Sequence, residues 1–297
     1  MDRARSLAVQ SVLFGNASRD IHRAAEAVAT SARLAVADGL ISTWEYVVGD
    51  CSPQAVFALD ALHALRLMIE GEGGRFTYEF FDENLGSAAG HNRLATASAS
   101  DLLIILNPDA VMAPDTIAVL AESTDADVGV VEARQIPLEH PKDYDARTGE
   151  TSWASTACAM TPRHVFNQLG GFDAATFFLY CDDVDYSWRA RLAEYRVLYA
   201  PAARLFHDKR LTTSGDWPAS SAEIYYSAEA AILLAAKFSR PELAAELVAQ
   251  FDAEGGAAAK AATEFRRRSA AGLLAESIDS DHGVGQFIGG NYAIHRF

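Results

Sequence analysis

The chain has 297 residues, half of them hydrophobic, which is enough for one large domain or a domain with an appendage. Its 40 acidic and 25 basic side chains give a formal charge of −15. That balance argues against nucleic acid as the main partner and against broad electrostatic adhesion to anionic lipid; the one basic triplet, Arg266-Arg267-Arg268, reads as a solvated helix face.

Residues 7–14 are apolar enough for a first strand, ended by Gly15-Asn16. Ser18 is the expected N-cap of a helix in which Ile21, Ala24, Ala25, Val28, Ala32 and Ala35 keep helical spacing. Residues 44–48 read as a second strand, running into Gly49-Asp50-Cys51-Ser52-Pro53. A helix over 53–70 is predicted next, with Val56, Leu59, Leu62, Leu65 and Met68 on one side. A third strand is expected over 76–81, and the stretch from Asn84 to Asn92 leads into a short helix of small residues. Asp101-Leu102-Leu103-Ile104-Ile105-Leu106 then reads as a strand buried on both faces, which Pro108 stops.

This β-α-β-α-β-α-β rhythm predicts an α/β fold, a mostly parallel sheet flanked by helices. A strand over 127–133, a long loop over 135–153 and a strand over 153–160 follow, and Pro162 opens a short helix. Residues 182–193 read as a helix, 196–199 as a strand and 205–207 as a strand end. After Pro218, Ala and Glu dominate, with Leu and Ile at helical spacing, which predicts two or three helices broken near Pro241 and Gly255-Gly256. The expected division is a sheet domain over 1–217 and a C-terminal helical appendage over 218–297, whose tail from Gly283 is a candidate lid or oligomer contact. Cys51, Cys158 and Cys181 are widely spaced, which fits core residues in a reducing compartment. No signal core and no membrane-length apolar run is visible, so the expected location is cytoplasmic.

Asp109 lies just past the end of the buried central strand, where ligands bind in open α/β sheets. A carboxylate there is placed to hold a hard divalent cation, and the cation to hold phosphate oxygens. The competing reading of Asn107-Pro108-Asp109 is a plain turn, with Asp109 capping the helix near Pro114. Asp182, Asp183 and Asp185 fall within four residues at the start of a predicted helix, behind the aromatic run 177–180. The helix dipole accounts for one or two of them. A carboxylate held against apolar walls also gains proton affinity and can act as a general base. Asp185 with Arg189 reads as a structural i,i+4 pair. His207 is a core histidine taken alone, and a cation ligand or proton carrier beside an acid site.

In this order the motifs resemble the family 2 glycosyltransferases with a GT-A fold, particularly the rhamnosyltransferase-like branch, over roughly residues 6–214. The carrying stretches are Asp50-Cys51-Ser52, Glu83-Asn84-Leu85-Gly86 with Gly90-His91-Asn92, Leu106-Asn107-Pro108-Asp109, Gly170-Gly171-Phe172-Asp173, Phe178-Leu179-Tyr180 with Asp182-Asp183-Val184-Asp185 and Arg189, and His207. The resemblance implies an inverting transfer of a sugar from a nucleotide-diphosphate sugar to an acceptor hydroxyl, in polysaccharide or glycolipid synthesis. It makes Asp109 the remaining acid of a DxD metal motif with Asn107 in the first position, Asp183 the catalytic base beside Asp182, and His207 a cation ligand. It puts Asp50 on the nucleotide base and Asn84, Gly86 and Asn92 around the nucleotide sugar. The implied cofactor is Mg²⁺ or Mn²⁺, the donor dTDP-rhamnose or a UDP-sugar, and the acceptor a saccharide or a lipid-linked intermediate, at the inner face of the cell membrane. Peripheral membrane contact and a homo-oligomer are compatible with it. Trp153, Trp188 and Arg189 are the expected acceptor side, and Tyr225-Tyr226-Ser227-Ala228-Glu229-Ala230 stands where the family often has an Arg-Asn pair.

Two other readings compete. A nucleotidyltransferase would want a Gly-rich basic loop after the first strand, and Phe14-Gly15-Asn16-Ala17-Ser18-Arg19 is a poor one. A catalytically inactive nucleotide-sugar-binding module is opposed by the joint presence of Asp109, Asp183 and His207. The transferase reading requires those three residues to share one site.

Overall fold

The structure is a computed structural model that describes residues 5–139, 141, 143–207 and 219–292. Four apolar runs, each separated from the next by a helix, pair in parallel. They are β1 (Arg5–Leu13), β2 (Ile41–Asp50), β3 (Arg75–Phe80) and β4 (Leu102–Leu106), with α1 (Ser18–Ala37), α2 (Leu59–Gly71) and α3 (Gly86–Ala97) between them. The five residues of β4 are all buried, as a strand covered on both faces requires.

The second half of the sheet is mixed. It holds β5 (Ala110–Met112), α4 (Thr116–Glu122), β6 (Val128–Ile136), β7 (Cys158–Pro162), α5 (Arg163–Gln168), α6 (Asp182–Leu192) and β8 (Arg196–His207). The eight strands lie in the order β3-β2-β1-β4-β7-β6-β8-β5. β7 runs antiparallel between β4 and β6, β6 and β8 are parallel, and β5 pairs antiparallel with the end of β8. Alternation along the strands sends Leu7 and Val9 to a core under α1, α2 and α4, and Ala8 to a core under α3, α5 and α6.

The C-terminal helices are α7 (Ser221–Lys237), α8 (Pro241–Glu254) and α9 (Gly256–Ala270). A capping box between Ser220 and Glu223 starts α7, Pro241 starts α8, and Gly255 and Gly256 turn the chain with positive φ. These helices share a core with the sheet region: Leu233, Leu234 and Phe238 pack with Trp153, Phe177 and Trp188. Phe287 and Tyr292 of the tail join that core, so the described part of the tail packs on its own chain. The boundary expected at 217/218 lies in a stretch outside the described residues, as do 293–297.

Several element ends differ from expectation, each for a local reason. Ser18 is the first helical residue of α1 rather than its cap, and Ala17 precedes it without a side-chain bond. The helix expected from residue 53 starts at Leu59, because the Asp50 carboxylate accepts the amides of Ser52 (2.9 Å) and Val56 (2.8 Å) and holds the intervening chain as a loop. Residues 153–157 precede β7 rather than belong to it, and Ala154 bonds the Ser187 hydroxyl of α6 at 3.0 Å. The two short strands expected over 196–207 are one strand.

Candidate active site

The turn after β4 is shaped by the next strand pair. Pro108 ends β4, but the chain re-enters the sheet at once, and Ala110 pairs with His207 of β8. That pairing sets Asp109 Oδ1 3.2 Å from His207 Nε2, and Asn107 Nδ2 3.3 Å from the same nitrogen. Asp109 therefore does not cap α4, whose N-cap is Asp115. Gln135, at the end of β6, was not singled out by its sequence. Its amide nitrogen donates to Ser155 Oγ (3.2 Å), which turns its carbonyl oxygen to His207 Nδ1 at 2.9 Å. An accepting carbonyl places the ring proton on Nδ1 and leaves a lone pair on Nε2, facing Asp109 and Asn107. Only a partner 72 residues away reveals the role of Gln135.

An imidazole lone pair and a carboxylate oxygen at 3.2 Å call for a positive charge between them, so this pair fits a divalent cation. It would supply one nitrogen and one oxygen and leave the remaining positions to diphosphate oxygens and water. A nitrogen in the donor set suits Mn²⁺ better than Mg²⁺, which prefers oxygen ligands. Among the described residues no group of three or more His, Cys, Asp or Glu side chains is placed to hold a metal ion.

The second cluster opens α6. Tyr180 (φ 66°) and Cys181 (φ 54°) are both left-handed and non-glycine, a conformation that costs on the order of 1–2 kcal/mol per residue and is often kept at functional sites. Asp182 follows, nearly fully buried. Burial first, then the charge of Asp183, push its pKa up to about 7 against a hydrogen bond from Ser87. Asp183 is half-buried; its Oδ1 accepts the Val184 amide (2.8 Å) and its Oδ2 the Thr156 amide (3.4 Å).

Residues 155 and 156 join the two clusters. Thr156 bonds Asp183, while Ser155 bonds Gln135 and through it His207. Asp109, His207 and Asp183 are thus linked through one short segment, with Asn107 held to the next residue by its amide to Ala157 O at 2.9 Å. The loop before α3 closes the same region. Gly86 has φ +69°, and a Cβ on it would lie 2.3 Å from Phe178 O, the atom that accepts the Ser87 amide at 3.0 Å. Asn84 Oδ1 stays within its own turn, accepting the Gly86 amide at 3.3 Å.

Other expected site residues have different work. Asp50 is fully buried, and beyond the Ser52 and Val56 amides its carboxylate accepts Tyr78 OH at 2.6 Å. It organises the 51–58 loop and presents no open face to a base. Asn92 uses both ends of its amide on Phe172, donating to the carbonyl (2.8 Å) and accepting from the amide (2.9 Å), so it ties α3 to the turn before α6. Trp188 is 0 % exposed, packed on Phe238 and Phe287, and is a core residue rather than an acceptor contact. Arg189 is committed to Asp185 (2.7 Å) and to the carbonyls of Leu169 and Gly171. Trp153 is buried, its ring edge-on to Tyr292.

No family model matches the chain. A stretch of 68 residues, 23% of the chain, is 40% identical to N-acetylglucosaminyl-diphospho-decaprenol L-rhamnosyltransferase of Mycobacterium tuberculosis, and it spans only 22% of that protein. Among solved structures, the mannosyltransferase PcManGT from Pyrobaculum calidifontis, in complex with GDP-Man and Mn²⁺, is similar over 90% of this chain and 81% of its own, at 18% identity and a TM-score of 0.56. GalNAc-T7 with UDP, GalNAc and Mn²⁺ is similar over 81% of this chain and 49% of its own, at 13% identity and a TM-score of 0.62. Likeness at such identities speaks to architecture. The mixed sheet clasped by helices is the GT-A-like fold of the glycosyltransferases.

Proposed function

We propose that the protein is a metal-dependent, inverting glycosyltransferase that moves a sugar from a nucleotide-diphosphate donor to an acceptor hydroxyl. The observation that carries this reading is the junction of the Asp109–His207 pair with Asp183 through Ser155 and Thr156. Asp109 and His207 would hold a divalent cation, which when bound would neutralise charge on the departing diphosphate. Asp183, the more exposed of the acid pair, takes the proton from the acceptor hydroxyl. Burial raises Asp182 to about 7, so it keeps its proton more readily than an ordinary carboxylate. A single base beside the leaving diphosphate matches one in-line displacement, hence inversion.

The match to an N-acetylglucosaminyl-diphospho-decaprenol L-rhamnosyltransferase supports rhamnose as the sugar and a lipid-linked saccharide as the acceptor, and on that reading the donor is dTDP-rhamnose and the site of action the inner face of the cell membrane. The neighbours with GDP-Man or UDP and Mn²⁺ support a nucleotide sugar and a divalent ion more generally. Among the described residues no helix is long and apolar enough to cross a membrane. A thermal-shift panel of dTDP-rhamnose, UDP-sugars and GDP-mannose, with and without Mn²⁺ or Mg²⁺, tests the reading. Cation-dependent stabilisation by one donor is expected, and Asp183→Asn is expected to keep it while losing about 10²–10⁴-fold in turnover. Near-normal turnover by that variant would remove the base assignment.

A further inference from the structure

Lys237 ends α7, outside the sheet, yet its side chain is only 7% exposed. Its Nζ lies 2.5 Å from Asp185 Oδ1 and 2.7 Å from Asp173 Oδ2, and 5.5 Å from the centroid of the Phe177 ring. Asp185 is 0% exposed and sits in the first turn of α6, where its amide donates to Cys181 O at 2.8 Å. Its other carboxylate oxygen holds Arg189 at 2.7 Å, which reaches on to the carbonyls of Leu169 and Gly171. Burial works to raise the Asp173 pKa, but hydrogen bonds from Lys237 and Thr176 outweigh it and hold the group below its ordinary value. Two carboxylates, one ammonium and one guanidinium therefore form a largely buried network.

That network joins three segments around the acid pair: the turn at 169–177, the start of α6 and the end of α7. A second tie lies nearby. Tyr226 of α7 stacks on Phe178 at 4.9 Å, and Phe178 O accepts the Ser87 amide of the loop whose hydroxyl bonds Asp182. Between the two ties stand Tyr180 and Cys181, the strained left-handed pair that aims the helix start. Strain of that kind persists only where surrounding contacts over-determine it. Without Lys237, Asp185 keeps the Arg189 guanidinium on one oxygen but has its other, buried oxygen left without a cation and loses its tie to α7.

We propose that Lys237 is a positioning residue for the acid pair Asp182–Asp183: by gripping Asp185 it fixes the first turn of α6, and with it the place of Asp183, from the C-terminal helices. The C-terminal region is then part of the reaction centre and not an accessory to it. This rests on Asp183 being the base, and the test separates the two ideas.

Lys237→Met and Lys237→Arg are compared with the unaltered chain in hydrolysis of dTDP-rhamnose, UDP-N-acetylglucosamine and GDP-mannose with Mn²⁺, and by hydrogen exchange at residues 180–186 of the ligand-free protein. Lys237→Met is expected to lose about 100-fold in kcat with KM little changed, the usual cost of a displaced catalytic group. Its acid limb is expected to move to higher pH, since removing an ammonium raises the proton affinity of nearby carboxylates, and Lys237→Arg is expected to recover part of both. Faster exchange at 180–186 in Lys237→Met accompanies these changes. Unaltered kcat and pH profile in Lys237→Met overturn the proposal. Should the unaltered chain neither hydrolyse any of these donors nor be stabilised by one with Mn²⁺, the transferase reading falls, and unchanged exchange at 180–186 in Lys237→Met then overturns the grip as well. A Lys237→Met chain too unstable to assay leaves the decision to Lys237→Arg: a shifted pH profile and faster 180–186 exchange sustain the proposal, and an unaltered profile and exchange end it.

Discussion

The two halves of the sheet divide their labour. In the parallel half, β1 to β4, each strand lies close to its expected place, yet the polar residues expected to touch a nucleotide mostly build structure: Asp50 folds a loop and Asn92 clamps a turn. In the mixed half several element ends moved, yet Asp109 pairs with His207 there, and Gln135, Ser155 and Thr156 link that pair to Asp183. Regular pairing places backbone; irregular segments gather side chains from distant positions.

This contrast is open to direct attack. The largest expected effect is in the parallel half. Asp50→Ala leaves two amides and a tyrosine hydroxyl without their buried carboxylate, and is expected to cost about 3 kcal/mol of stability in chemical denaturation. Should the variant keep its stability and instead lose donor affinity, Asp50 belongs to the nucleotide site and the contrast breaks. In the mixed half, Gln135→Leu removes the bond that fixes the His207 tautomer. A loss of about 10–100-fold in Mn²⁺ affinity is expected, read by titration calorimetry, with the melting temperature barely changed. Equal Mn²⁺ affinity would remove Gln135 from the site.

The smallest effect is a pH dependence. Burial pushes the Asp182 pKa from its ordinary value of 3.8 up to about 7 in the folded chain. Its raised pKa contributes stability that is full below the unfolded value and lost as pH rises through the folded one. Asp182→Asn does not titrate, so it is expected to melt a few degrees above the unaltered chain at pH 8 and level with it at pH 4. A gap that is the same at both pH values would place Asp182 in an unperturbed environment.

What could be read from the residues follows the same division. Runs such as Leu102-Leu103-Ile104-Ile105-Leu106 and the breaks at Pro241 and Gly255-Gly256 carry their own signal, because periodicity and backbone restriction act within a few residues. The 53–70 helix started late because the side chain of Asp50 competes for the amides at its expected start, something a periodic pattern does not register. Trp188 and Arg189 looked available for an acceptor, but their neighbours, Phe238, Phe287 and the Leu169 and Gly171 carbonyls, lie 18 to 99 positions away. Lys237 stood in an Ala-rich helix with no mark of its own, and only the fold brings it to Asp185.

The placement of β7 bears on how the chain assembles as it leaves the ribosome. β1 to β4 have all their mutual neighbours once residue 106 has emerged, whereas β6 is synthesised before both strands that flank it. Until Cys158–Pro162 slots in, β4 presents a bare hydrophobic margin and β6 has nothing to zip onto. The nascent protein must pass through a stage with an unsatisfied edge, the moment at which strand-to-strand association between molecules competes with completion of the sheet.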